Sequence, residues 1–145
     1  MVHVLYQRCA CSRRIIDHLV AGARPQDMAE RVVLVDAAAD TVNELVAAGF
    51  HVDQVSAEAL HADWHIDAAP LLLVVDPAGT VRYAGGYTAR KQGPVIADLD
   101  IVGRVRAGSA AESLPLFGCA VSRALQSSVD PLGLKRLLAW RPLSS

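Results

Sequence analysis

Aromatic residues, long apolar runs and an excess of either charge are all scarce in this sequence. Phe, Trp and Tyr make up 5% of the residues, and 14 Lys and Arg are balanced by 15 Asp and Glu, which leaves a formal net charge of -1. This balance gives no electrostatic basis for binding nucleic acid or an anionic membrane surface. The longest apolar run, Ala68 to Val75, is far shorter than the roughly 18 residues of a membrane-spanning helix. We therefore predict neither a nucleic-acid partner nor a membrane span.

Cysteine is also scarce, because the chain has only Cys9, Cys11 and Cys119. These are too few for the disulfide framework of a small secreted domain, and their odd number leaves at least one thiol unpaired within a monomer. Nucleotide-binding motifs are absent as well, since the sequence contains neither Gly-x-Gly-x-x-Gly nor a Walker loop. We therefore expect no organic cofactor, and we expect the cysteines to be reactive rather than structural.

The length and composition predict a single domain over residues 1–145. Of these residues 52% are hydrophobic, which suffices for one buried core, and the chain shows no internal repeat or low-complexity linker. The first residues predict a strand and lack the basic start and apolar middle of a signal peptide. This leaves the compartment open: the sequence as written would be cytoplasmic, and a leader upstream of it would make the protein periplasmic.

The first 35 residues predict a β-α-β unit. Val2 to Tyr6 is short and rich in β-formers, and Ile15, Ile16 and Leu19 follow at helical spacing. Arg31 to Val35 is a second apolar run. Because a helix connects the two strands, we expect them to be parallel.

The rest of the chain predicts one more helix, a hairpin and C-terminal helices. Thr41 to Ala48 has helical spacing, whereas the signal from His51 to His65 is mixed. Leu71 to Val75 and Thr80 to Ala84 flank the turn sequence Asp-Pro-Ala-Gly and predict an antiparallel hairpin.

Three further segments have helical content. With them, the predicted fold is α/β, with a mixed sheet flanked by helices. These segments are Pro94 to Arg106, Ala120 to Gln126 and Leu132 to Trp140. The prediction is a core over about 2–106 and a helical extension over about 107–145.

Two motifs accompany this order of elements. Cys9-Ala10-Cys11-Ser12 lies where the first strand meets the first helix, and Ala69-Pro70 leads the third strand. In order and motifs, residues 2–106 resemble the thioredoxin-like superfamily. The resemblance implies a thioredoxin-like mixed sheet and a cis peptide bond before Pro70. It also implies a substrate groove shaped by Pro70, where the backbone of Ala69 pairs with an extended substrate peptide.

The motif differs from the usual superfamily pattern, which is Cys-x-x-Cys preceded by an aromatic residue. Here Arg8 precedes Cys9, the spacing is Cys-x-Cys, and Ser12 holds the fourth position. Together with Tyr83-Ala84-Gly85-Gly86 and Gly118-Cys119-Ala120, this pattern is similar to a bacterial branch of the superfamily. Alternatively, aligning Cys9 with the first family cysteine gives Cys-x-x-Ser, as in single-thiol glutaredoxin-like proteins, and makes Cys11 an additional thiol.

The position of the cysteines predicts thiol–disulfide chemistry. A helix N-terminus carries partial positive charge and free N–H groups, which favour the thiolate, and the thiolate is the nucleophile. We expect Arg8, Ser12 and Arg13 to stabilise this thiolate. The prediction is a thiol–disulfide oxidoreductase in which Cys9 attacks and Cys11 resolves the mixed disulfide, with protein or small-molecule thiols and disulfides as partners.

Cys119 has two interpretations. It is either a third reactive thiol that resolves an oxidised form of the first site, or a buried core residue. Two alternatives of another class also remain for the whole site. Cys9 and Cys11, with or without Cys119, would suit Cu(I) or Zn, and His61 and His65 have the i, i+4 spacing of a shared helical face. The other alternative is a non-catalytic interaction domain, whose cysteines are small buried hydrophobic residues.

Overall fold

The first third of the chain alternates strands and helices. The computed structural model describes residues 1–122 and 125–126. Strand β1 (Val2–Tyr6), helix α1 (Ala10–Ala21) and strand β2 (Arg31–Val35) follow in order. β1 and β2 are parallel, with Val2 opposite Arg31 and Tyr6 opposite Val35. The predicted β-α-β unit is therefore confirmed.

The segment with the mixed signal holds a strand and a helix. Helix α2 (Ala39–Ala47) precedes strand β3 (His51–Val55) and helix α3 (Ala57–Trp64). β3 lies parallel to β2, and the Ser56 hydroxyl caps α3 by accepting a hydrogen bond from the Ala59 N–H at 3.1 Å. β3 is an edge strand whose side chains are exposed or only partly buried. Its sequence therefore carries little apolar alternation.

A proline-led hairpin completes the main sheet. The two-residue strand β4 (Ala68–Ala69) is followed by β5 (Leu71–Val75) and β6 (Val81–Gly85), which pair antiparallel as predicted. The Ala69-Pro70 peptide bond is cis, which confirms the prediction for Pro70. β5 also pairs antiparallel with β1. The result is a five-stranded mixed sheet with the order β3-β2-β1-β5-β6.

The C-terminal part differs from the prediction. Helix α4 (Asp98–Arg106) begins four residues later than expected, and the described residues of the predicted extension contain no helix before strand β7 (Cys119–Ala120). The helix predicted from Ala120 is wrong at its start, because Ala120 pairs with Ala68 of β4; within that segment Leu125 and Gln126 are helical. The helix predicted from Leu132 to Trp140 lies outside the described residues.

The main sheet has apolar residues packed on both faces. In β1 and β2, Leu5 and Leu34 belong to one buried cluster, together with residues of α1, α2 and α4. Val4 and Val33 belong to a second cluster, with Leu60 of α3. This alternation is the period-two pattern of a strand buried on both sides. Four helices thus flank the sheet in the described residues, none of them long and apolar enough to cross a membrane.

A network of polar side chains is buried beside the first cluster. His3 is fully buried; its Nδ1 lies 2.7 Å from the Tyr87 hydroxyl, and its Nε2 lies 3.0 Å from Glu30 Oε1. Because a carboxylate only accepts hydrogen bonds, Nε2 carries the hydrogen, and Tyr87 donates to Nδ1. Burial lowers the pKa of His3, so its ring is neutral at pH 7.

Arg24 is the central cation of this network. Its guanidinium lies 2.5 Å from Glu30 and 2.8 Å from Asp98, and Asp98 also contacts His18 at 3.0 Å. Burial raises the pKa of Glu30, but hydrogen bonds from His3 and Arg24 outweigh it and lower that pKa to about 2. Glu30 is therefore ionised in the folded protein at neutral pH.

Candidate functional site

Cys9 lies at the junction between β1 and α1. It is the N-cap residue of α1, with extended backbone angles, and it is 1% exposed. The first N–H groups of a helix lack intrahelical partners and carry partial positive charge, so the Cys9 sulfur faces a favourable environment for an anion. Ser12 does not cap the helix; its buried hydroxyl accepts a hydrogen bond from the Tyr6 N–H at 3.0 Å.

Hydrogen bonds lower the pKa of Cys9 to about 6. The largest contribution is a hydrogen bond from the Cys119 thiol, followed in size by burial, which acts in the opposite direction. The backbone N–H groups of Ser12 and Cys11 and the Ser12 hydroxyl supply the remaining stabilisation. A pKa of about 6 favours the thiolate of Cys9 at neutral pH, and a thiol from elsewhere in the chain contributes most to lowering it.

The other two cysteines retain their protons. The pKa of Cys119 is raised by its hydrogen bond to Cys9, by burial and by the negative charge of Cys9. Burial and the charge of Cys9 raise the pKa of Cys11. The first proton lost from this group therefore leaves Cys9, and Cys119 and Cys11 remain thiols beside it. The structure brings together all three predicted cysteines.

The two arginines expected to stabilise the thiolate are bound to carboxylates instead. Arg8 is mostly exposed and lies 3.5 Å from Asp36. Arg13 contacts Asp17 at 2.8 Å and Glu44 at 3.1 Å. The prediction for Arg8 and Arg13 therefore needs correction: hydrogen-bond donors next to the sulfur supply the stabilisation, and of the three residues named from the sequence only Ser12 is among them.

The cis-proline segment lies beside Cys9. The Cys9 sulfur lies 3.8 Å from the carbonyl oxygen of Ala69, which is fully buried. On its other side, Ala69 pairs antiparallel with Cys119, and Ala68 pairs with Ala120. The backbone of Ala69, which we expected to pair with a substrate peptide, is thus paired with an extended segment of the protein's own chain.

This segment, residues 114–121, is called the strap below. Its first residue is held by the Gly86 N–H, which donates to the Leu114 carbonyl at 2.9 Å, and by the Tyr83 hydroxyl, which accepts from the Leu114 N–H at 3.1 Å. Its last residue, Val121, is buried and donates its N–H to the Asp67 carbonyl at 2.7 Å. Backbone hydrogen bonds therefore fix both ends of the strap.

Two glycines allow the strap to approach the rest of the protein closely. A Cβ atom at Gly118 would lie 1.9 Å from the Ala69 carbonyl oxygen and 2.6 Å from Pro70 Cδ. A Cβ atom at Gly86 would lie 1.8 Å from the Pro115 carbonyl oxygen. Both contacts involve backbone or ring atoms that cannot move aside alone, so any larger residue at either position displaces the strap.

A cavity of about 290 Å³ opens beside the thiols. Its wall includes Cys11 and Arg14 from α1, Pro70, and Phe117 from the strap. Cys11 is partly exposed, in contrast to Cys9. A small disulfide or a side chain of a partner protein that enters this cavity would meet Cys11.

The residues proposed as metal ligands do not form a recognisable metal site. Within residues 1–122 and 125–126, no group of three or more His, Cys, Asp or Glu side chains has the arrangement of a metal centre. His61 lies 2.6 Å from Asp67, and His65 follows the end of α3 with a left-handed backbone. The two histidines therefore do not share a regular helical face, because His65 lies just past the end of α3 and His61 is bonded to the Asp67 carboxylate.

Replacing Ser12 with alanine is expected to raise the pKa of Cys9 by roughly one unit, because a hydrogen bond to a charged group contributes about 1.5 kcal/mol or more. The Tyr6 N–H also loses its acceptor, so the free energy of unfolding should fall by about 1–3 kcal/mol. The measurement is the pH dependence of Cys9 alkylation, combined with urea unfolding.

Ser56→Ala is the control for this variant. It removes the cap of α3 and should lower the free energy of unfolding by about 0.5–2 kcal/mol without changing the pKa of Cys9. An unchanged pKa of Cys9 in Ser12→Ala would contradict the role given to the Ser12 hydroxyl.

Comparison with known proteins adds information on the fold. No protein-family model matches the chain, and no curated protein matches it. Among solved structures, it is similar to the crystal structure of a hypothetical protein from Sinorhizobium meliloti 1021, with a TM-score of 0.60 and 18% sequence identity over 83% of this chain and 76% of the other. At this level of identity the likeness concerns the fold alone, and the chain shares its α/β architecture with that protein.

Proposed function

We propose that this protein is a thiol–disulfide oxidoreductase of thioredoxin-like fold, with Cys9 as the attacking thiol. The observation that carries the proposal is the environment of Cys9. Its sulfur lies at the N-terminus of α1, 3.8 Å from the carbonyl oxygen that precedes Pro70, and its pKa is lowered to about 6. A cysteine that serves only as a small hydrophobic core residue has no need of hydrogen-bond donors that stabilise its thiolate.

The proposed reaction is a two-step exchange. The Cys9 thiolate attacks one sulfur of a substrate disulfide, R–S–S–R′, so that a Cys9–S–S–R bond forms and R′S⁻ leaves. A second thiol of the protein then loses its proton and attacks the Cys9 sulfur, which releases RS⁻ and forms an internal disulfide. The substrate disulfide gains two electrons, and the protein dithiol loses two. The same steps in reverse oxidise a substrate dithiol.

A redox titration tests this proposal. The protein is equilibrated in glutathione buffers of graded potential, its free thiols are alkylated, and the number of labels is counted by mass spectrometry. We expect a two-electron transition from three free thiols to one. Three free thiols at every potential would overturn the proposal, and the next experiment would then be titration with Cu(I) and Zn²⁺.

The ionisation of Cys9 gives a second prediction. Because the pKa of Cys9 is lowered to about 6, its thiolate is present above that pH and disappears as the pH falls through 6. In the Cys11→Ser variant, alkylation of Cys9 by iodoacetamide should therefore rise with a midpoint near pH 6 and remain constant from about pH 7 upward. A midpoint near 8.5, the value of an ordinary cysteine, would contradict the proposed activation of Cys9.

A further inference from the structure

We propose that Cys119 is the resolving thiol and that the strap presents it to Cys9 as a built-in peptide substrate, so that Cys9 and Cys119 form the redox couple of this protein. The inference rests on the proposed function and goes further in naming the second thiol and the occupant of the groove. It also departs from the sequence prediction, which gave the resolving role to Cys11.

The position of the strap is the first argument. An extended peptide binds a strand by forming main-chain hydrogen bonds along its free edge. At β4 this edge is occupied by β7, and Ala69 is paired with Cys119 itself. The strap therefore occupies the place where an extended substrate would bind, with a cysteine at the position nearest to the nucleophile.

Cys9 and Cys119 both contact Ala69. The Ala69 carbonyl oxygen lies 3.8 Å from the Cys9 sulfur, while the Ala69 backbone pairs with Cys119. The Cys119 side chain is also the largest cause of the lowered pKa of Cys9, so its thiol acts directly on the Cys9 sulfur. A thiol held on the same two-residue ladder as Ala69 needs little movement to form a disulfide with Cys9.

Cys11 is less suited to this role. It follows Cys9 by two positions at the start of α1, and side chains two positions apart on a helix project to different sides. A Cys9–Cys11 disulfide would therefore require the first turn of α1 to rearrange. Cys119 instead comes from a separate strand, β7, which pairs with Ala69, and Cys11 lines the adjacent cavity.

The burial of Cys9 is the second argument. Cys9 is 1% exposed and therefore closed to an external disulfide in this arrangement, in which the strap is packed against the neighbouring Ala69 and Pro70. The strap must lift for the first step, in which Cys9 bonds to R–S and R′S⁻ leaves. Its return brings Cys119 back to Cys9. Cys119 then gives up its proton, attacks the Cys9 sulfur, and RS⁻ departs.

Disulfide mapping separates the two candidate couples. Trypsin cleaves after Arg8, Arg13, Arg106 and Arg123, so peptide 9–13 carries both Cys9 and Cys11, and peptide 107–123 carries Cys119. After oxidation with glutathione disulfide, a Cys9–Cys119 bond links these peptides, whereas a Cys9–Cys11 bond leaves peptide 9–13 alone and two hydrogens lighter. We expect the linked pair, and we expect it also in Cys11→Ser, where only Cys9 of peptide 9–13 can form it.

The outcomes distinguish the inference from the proposed function. An internal bond within peptide 9–13 would overturn the role of Cys119 and leave the oxidoreductase proposal intact. The absence of any internal disulfide at all potentials would overturn both. In Cys119→Ser, we expect Cys9 to accumulate as a mixed disulfide with glutathione, which appears as a mass increase on peptide 9–13. The double variant Cys9→Ser/Cys119→Ser should lack this adduct, which would identify Cys9 as its site.

Gly118→Ala tests the strap itself. The added Cβ displaces the strap from Ala69 and Pro70, so the plateau rate of Cys9 alkylation above pH 8 should rise at least tenfold. The midpoint should also move to higher pH, because the hydrogen bond from Cys119 is lost. Gly103→Ala is the matched control, since a Cβ at Gly103 on α4 has no neighbour within 4 Å and should leave both quantities unchanged.

An unchanged plateau rate in a folded Gly118→Ala protein, verified by circular dichroism, would overturn the covering role of the strap. If this variant does not fold, the Cys119→Ser protein and the disulfide map still decide the identity of the couple.

Discussion

Replacement of Arg24 by methionine is expected to lower the free energy of unfolding by about 3–5 kcal/mol, because it leaves buried carboxylates without their cation. The Arg24 side chain is 11% exposed, and its partners Glu30 and Asp98 are 7% and 1% exposed. Methionine retains most of the apolar volume of the arginine stem, so the loss reports on charge rather than on a cavity. Urea unfolding at pH 7 measures it.

The control for this variant is Arg104→Met. Arg104 pairs with Asp100 at 3.1 Å on the surface of α4, where both side chains are more than half exposed. Exposed ion pairs contribute little, so this change should alter the free energy of unfolding by less than about 1 kcal/mol. Equal effects of the two variants would show that the buried network is not a source of stability. Adding Glu30→Gln to Arg24→Met should recover part of the loss.

The same network predicts a loss of stability in acid. The pKa of Glu30 is lowered to about 2 in the folded protein, from an ordinary value of 4.5. Between these values the unfolded chain binds more protons than the folded one, so the contribution of Glu30 is fully present above pH 4.5 and is lost as the pH falls through 2. Unfolding curves between pH 2 and 5 should show this decline, and in Glu30→Gln the decline should be weaker.

Cys9→Ser is the second change with a large expected effect, because serine cannot form the mixed disulfide. The two-electron transition should disappear, and only the slow exchange of Cys11 and Cys119 should remain. At pH 6 a thiol with a pKa of about 6 is half ionised, whereas one with a pKa above 9 is ionised to less than about 0.1%.

This difference in ionisation decides the size of the effect. At pH 6 the ionised fraction of Cys9 is about 500 times that of the other thiols. A thiolate of low pKa is intrinsically less nucleophilic, by roughly 20-fold for this difference in pKa, so an advantage in rate of about 20-fold remains. The rate of exchange with a small disulfide at pH 6 should therefore fall in Cys9→Ser by up to about 20-fold, and by less to the extent that the strap keeps Cys9 covered, with Gly103→Ala as the control. A residual rate close to that of the unchanged protein would show that another thiol is the nucleophile.

Local patterns in the sequence predicted the elements that place Cys9. The β-branched run of β1, the helical spacing of Ile15, Ile16 and Leu19, and the apolar run of β2 place Cys9 where a strand meets a helix. The hairpin of β5 and β6 followed from its turn sequence, in which Asp76 accepts hydrogen bonds from the Ala78 and Thr80 N–H groups. These features depend on neighbours within a few residues.

Features that depend on distant contacts could not be predicted in this way. β7 has two residues and exists because Ala69 lies opposite, 50 residues earlier in the chain. The small and helix-forming residues from Ala120 onward favour a helix locally. The backbone pairing with β4 and the burial of Val121 override that preference. The roles of Arg8 and Arg13 were misassigned for the same reason, since Asp36 and Glu44 come from other parts of the fold.

Cys119 follows Cys9 by 110 positions, and this separation also sets the order in which the site is made. At the usual speed of translation, about 5–20 residues per second, Cys9 leaves the ribosome roughly 5–20 s before Cys119. During that interval the nascent chain has no strap to cover Cys9 and no thiol from β7 to bond with it. If the strap has the covering role proposed above, Cys9 is therefore uncovered during synthesis and becomes covered only when the last third of the chain is complete.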